Sequence, residues 1–168
     1  MIRDPRRRGQ ALAEFFLRVE PSLYADLSEA GMLPDDDDAA ARARDEWRCF
    51  ALYACVRGLV AAGGFNRETA AAIDALHERV LADRAQASPD AADVEAHRER
   101  VATRYAEYGR IGQDGGAAGA ATVTLRLGEA AARHIAASDP PPAGLAEMVG
   151  SLHEALAEGA AESVRREE

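Results

Sequence analysis

Lysine is absent: all 20 basic residues among the 168 are arginine. Cysteine is scarce, with two residues, and aromatic residues make up only 5 %. No uncharged apolar run reaches the roughly 18 residues needed to cross a bilayer. The nearest, Cys49 to Gly63, is interrupted by Arg57. Each shortage excludes something. Two thiols without a Cys-x-x-Cys pair supply neither a disulfide framework nor a zinc ribbon. Cys49 and Cys55 fall on one predicted helix, about 9 Å apart along its axis, beyond disulfide reach. Positive charge clusters only at Arg6, Arg7 and Arg8, in a chain of net charge −9. A nucleic-acid-binding face is therefore not expected, because phosphate recognition needs a concentrated positive field. The arginine cluster ahead of an apolar stretch imitates a leader peptide. Glu14 and Arg18 break that stretch and no small-residue cleavage site follows, so the expectation is a cytoplasmic chain with no membrane partner.

What is present is alanine, 39 residues of it. Ala, Arg, Gly and Pro together fill nearly half the chain. Their codons are GC-rich, so a bacterial genome of high GC content is the expected source. Codon bias supplies alanine whether or not a helix wants it, so the helical evidence has to come from periodicity. With 48 % apolar residues, the chain can bury a core of the size that suits one domain.

The period is helical almost everywhere. The expected fold is an all-α, single-domain bundle of six or seven helices over residues 1–168. Leu12, Phe15, Phe16 and Val19 form the first stripe, which Pro21 is expected to stop. Ser22 would then cap a short helix carrying Leu23 and Leu27, ending at Gly31. Asp35 to Asp38 place four negative charges where a helix dipole favours them, and residues 37–62 read as a central helix, apolar on most of its circumference. Gly63 and Gly64 end it, and Asn66 caps the next helix, with Ile73, Leu76, His77, Val80 and Leu81 as its stripe. Ser88-Pro89-Asp90 opens another, carrying Val94, His97, Val101, Tyr105, Tyr108 and Ile111. Residues 112–119 are glycine-rich and read as a flexible loop. Residues 122–128 alternate like a strand, but a lone strand has no partner, so a helix is predicted. Asp139 to Pro142 end that helix, and Leu145 to Val164 form the last. Residues 1–8 and 165–168 are expected to fray.

Few constellations carry chemistry. Asp74 and His77 share a helical face at the spacing of a di-iron half-site, but the second pair is missing. His77-Glu78 opens like a zinc-protease motif, and Leu81 stands where histidine is required. With an antiparallel turn near residue 88, His77 and His97 are expected to face each other at one level. No metal and no cofactor are expected there. Serines sit at caps or on polar faces, and the cysteines lie in an apolar helix. The arginine- and tyrosine-rich stretch around Arg104 is the predicted partner-binding edge, comprising Arg100, Arg104, Glu107 and Tyr108. The competing reading ties Arg100 or Arg104 to Asp74 and Glu78 in an internal network.

The function this favours is a non-enzymatic bacterial protein-interaction or regulatory protein, of the adaptor or immunity/antitoxin-like kind. Its partner would be a protein, a basic one by charge complementarity. A homo-oligomer is compatible with the sequence. Two alternatives stand beside it. One is a small-molecule-sensing domain with a pocket lined by Trp47, Phe50, His77, His97 and Tyr105, between the helices at 37–62, 66–87 and 90–111. The other is a metal-binding helical-bundle enzyme using His77 and His97.

Overall fold

The computed structural model describes residues 3–88, 90–115 and 119–165. Six α-helices account for nearly all of them: α1 Pro5–Glu29, α2 Asp37–Gly63, α3 Arg67–Ala87, α4 Ala91–Gly115, α5 Ala120–Ala136 and α6 Leu145–Arg165. No strand occurs among the described residues. The chain is an all-α bundle, and no helix in it is long and apolar enough to cross a membrane.

Local chemistry explains most boundaries. Asp4, Asp36 and Asn66 each accept a hydrogen bond from the backbone N–H three residues on, at 2.8, 2.8 and 2.9 Å. These are N-caps, which satisfy donors that a helix start leaves orphaned. Gly64 stops α2 with φ 74°, a left-handed conformation that glycine adopts without a Cβ penalty. Ala137 ends α5 at φ 50°.

Three boundaries differ from the sequence reading. Pro21 does not stop the first helix; α1 runs through it to Glu29. The proline faces solvent, where the carbonyl it leaves unpaired can be hydrated, and buried Phe16, Glu20 and Leu27 hold the helix on both sides of it. Residues 5–8 do not fray, because Asp4 caps them and Arg8 is buried. Gly112 to Gly115 are helical, extending α4 by a turn into what reads as a loop. Gly115 is buried there, and a Cβ on it would meet Val123 of α5 at 2.7 Å. The rest of that predicted loop, residues 116–118, lies outside the described residues, as do Pro89 and the tail 166–168. Residues 122–128 are helical as expected, with Val123 and Leu127 facing the core.

α2 is the axis of the molecule and touches each of the other five helices. Trp47, Phe50, Ala51, Ala54, Cys55 and Leu59, all fully buried, point outward from it in several directions. The abundant small residues set how closely the helices approach. A Cβ on Gly9 of α1 would come within 2.7 Å of Ala75 on α3, and one on Gly58 of α2 within 2.8 Å of Ala160 on α6. On α5, a Cβ at Gly128 would collide with the backbone of Ala146 on α6. Backbones this close leave no room for even one methyl group.

Candidate functional site

α4 brings the chemistry-bearing side chains together. Its N-terminal half faces a ladder of charge. Arg84 of α3 donates from Nη1 to Asp45 of α2 at 2.8 Å, and from Nε and Nη2 to Asp93 of α4 at 3.0 and 2.6 Å. Arg100 donates to the other Asp45 oxygen at 2.9 Å. Arg104 forks onto Glu46 with two bonds of 2.6 and 2.9 Å, the bidentate geometry that only a planar guanidinium provides. His134 of α5 donates from Nε2 to Glu107 at 2.8 Å.

The sequence expectation nominated Asp74 and Glu78 as the competing partners for these arginines. The structure uses Asp45 and Glu46 on α2 instead. Asp74 is exposed, and Glu78 meets only Arg6, at 3.7 Å on the surface. The sequence held a signal for the true partners. Two consecutive acids at the start of a strongly apolar helical run, directly before Trp47, are too near the core to remain unpaired.

Arg100, Arg104 and Glu107, predicted to engage a partner, are therefore engaged within the chain. Tyr108, the fourth member of that set, is fully buried. It packs edge-on against Phe50 with ring centroids 5.2 Å apart. Burial, and Glu46 next, push its phenol well above the usual range, so it stays protonated.

The predicted ligand pocket is filled by the chain's own rings. Trp47 and Phe50 are fully buried. Phe50 stacks on His153 of α6 at 4.2 Å, and Tyr53 bridges Tyr105, Tyr108 and His153 at 5.2 to 6.0 Å. His153 was not singled out from the sequence, where one histidine on an apolar stripe carries little signal. Burial, and then Arg57, push its pKa down to about 3; the Phe50 backbone and Glu154 oppose this.

His77 and His97 engage different groups. The His77 ring donates from Nδ1 to the Ile73 carbonyl at 2.8 Å, which leaves Nε2 to accept the Tyr105 hydroxyl at 3.0 Å. Arg84 pairs with Asp93, whereas His77 pairs with Tyr105. His97 stands eight residues before Tyr105, the residue that His77 engages. It lies among Arg84, Asp45, Arg48 and Arg100 instead, and burial, then Arg84, lowers its pKa to about 4. Both imidazoles are depressed by burial. Among the described residues, no group of three or more His, Cys, Asp or Glu side chains is placed to hold a metal.

The thiols are poor nucleophiles. Burial, helped by Glu46, pushes Cys49 up to about 12, and burial alone pushes Cys55 higher. On the outer surface, a shallow open groove of about 250 Å³ between α1 and α3 is lined by Arg6, Gln10, Ala75, Glu78 and Arg79. At the α2–α3 turn, Phe65 stands 95 % exposed. No family model matches the chain, and neither a curated protein nor a solved structure shows significant similarity to it.

Proposed function

We infer that this chain is a non-catalytic protein-interaction or regulatory protein, an adaptor or an immunity/antitoxin-like partner, working in the cytoplasm of a bacterium. The observation that carries this reading is Phe65, an aromatic ring 95 % exposed at the tip of the α2–α3 turn. Leaving such a ring in water forgoes about 1.5–3 kcal/mol that burial would recover. A partner surface can supply that burial, and aromatic residues are preferred anchors in interfaces. The second support is that the reactive candidates are already committed. The α4 arginines hold Asp45 and Glu46, and the thiols stay protonated. The net charge of −9 favours a basic partner. A ligand-sensing role would require Phe50 and Tyr105 to part from the rings they pack on, and a metal-dependent one would require His77 and His97 to converge.

The test is capture of partners by the purified chain and by its Phe65→Ser variant. Both should melt at the same temperature, because the ring touches little of its own chain. A protein held by the first and lost by the second, with affinity reduced at least tenfold, supports the reading. Equal affinity for both, or a small molecule that stabilises the chain without any protein partner, overturns it.

A further inference from the structure

We propose that α4 is an electrostatically latched cover, which opens away from α2 while the other helices stay packed. Three independent observations lead there. The first is how little α4 buries. Only His97, Tyr108 and Gly115 of its 25 residues are buried, against eleven of 27 in α2 and eight of 21 in α6. Among the described residues it touches α2, α3 and α5, and neither α1 nor α6. Opening it therefore leaves the Gly58 and Gly128 crossings with α6, and the Gly9 crossing of α1 with α3, intact.

The second observation is what holds α4 instead. The Asp93, Arg100, Arg104 and Glu107 side chains each pair across to another helix, with Arg84, Asp45, Glu46 and His134. Tyr105 adds a hydrogen bond to His77. These groups are neither deeply buried nor free: the side chains of Arg84 and Arg104 keep 13 % and 19 % of their exposure. Water and salt reach such pairs, which a sealed apolar seam does not allow.

The third observation is poor satisfaction underneath. The Tyr108 hydroxyl and His97 Nδ1, both on α4, are buried without a partner in hydrogen-bonding geometry. A closed cover that orphans its own polar atoms has less to lose by opening. Opening uncovers an aromatic floor of Phe50, Tyr53 and His77, edged by the carboxylates of Asp45 and Glu46.

Hydrogen exchange followed by mass spectrometry on the intact chain tests this at low salt and at about 1 M NaCl, where the screening length falls to about 3 Å. The expected result is that α4 amides exchange on the order of tenfold faster at high salt while α2 and α6 stay protected. Glu46→Gln should produce the same selective loss at low salt. Glu154→Gln, which weakens the Arg57 and Thr124 contacts and removes no pair made by α4, should not. Equal protection of α4 and α2 at both salt concentrations overturns the proposal. Uniform exchange of all helices in Glu46→Gln overturns it as well, because α4 then belongs to the same cooperative unit as the core.

Discussion

The two most buried histidines make the chain acid-sensitive in a defined direction. His97 and His153 are held neutral to about 4 and about 3 by burial, while an unfolded histidine titrates near 6.5. Between those values the unfolded chain binds protons that the folded chain refuses. Their neutral burial thus costs no stability above about pH 6.5, and stability is lost progressively as pH falls from there toward 4. Urea midpoints measured at pH 7.5 and pH 5 should show a loss of about 2–4 kcal/mol. His153→Leu removes one of the two groups and should flatten that dependence; an unchanged slope would mean that carboxylates, not imidazoles, govern the acid limb. Glu20 is the other buried charge that the sequence did not advertise. It is 1 % exposed, bonded to Arg44 at 3.1 Å, with Arg48 at 4.0 Å and the Trp47 indole beside it. Burial raises its pKa against the pull of Arg44 and Arg48. Replacing Arg44 by Ala removes the nearer cation and leaves Arg48, 4.0 Å away, to compensate that carboxylate, so it should cost about 1–3 kcal/mol, read from the melting temperature.

At the scale of the helix, caps were legible and tertiary rescue was not. Asp36, Asn66 and the Gly63-Gly64 stop act within four residues, so sequence spacing locates α2 and α3 closely. Pro21 reads as a stop because its penalty is local too. The forces that override it, the burial of Phe16 and Leu27 on either side, depend on contacts the sequence does not display. Pro21→Ala should accordingly stabilise α1 by about 2 kcal/mol, the interior-proline penalty less the unfolded-state entropy that proline removes; a lowered melting temperature would contradict this. The arginines of α4 were visible as a group, yet their partners were not. Which carboxylates face them depends on how α4 packs against α2, which residue spacing along one helix does not display. The close crossings give a sharper test. Gly58→Val inserts three carbons where the Ala160 methyl leaves no room. It should cost about 1–3 kcal/mol or more, seen as a lower denaturation midpoint.

Over the whole molecule, α2 was expected at the centre, and it touches every other helix. Its placement follows from composition. A helix that carries Trp47, Phe50, Cys55 and Leu59 in different directions has no face to give to water, so the remaining five helices assemble around it. Truncating Trp47 to Ala should cost about 3–5 kcal/mol, and an unchanged midpoint would displace α2 from that role. The acidic excess acts at the same scale. If the partner is basic, its association rate should fall at least tenfold as salt rises from about 0.05 to 0.5 M, while dissociation changes little. A salt-independent association rate would remove charge from the account of recognition.

Trp47 has a consequence of another kind. It is the chain's single tryptophan. Its indole is sealed completely from water, on α2 beside Glu20 of α1. The protein therefore carries one optical reporter, and that reporter is set in the core rather than on its outer helix. Emission from Trp47 should stay blue and resist quenching by iodide or acrylamide until the core itself gives way. The tyrosines on and beneath α4 register a separate, earlier event. Two wavelengths read on one unlabelled sample thus distinguish a molecule that has lifted α4 from one that has come apart.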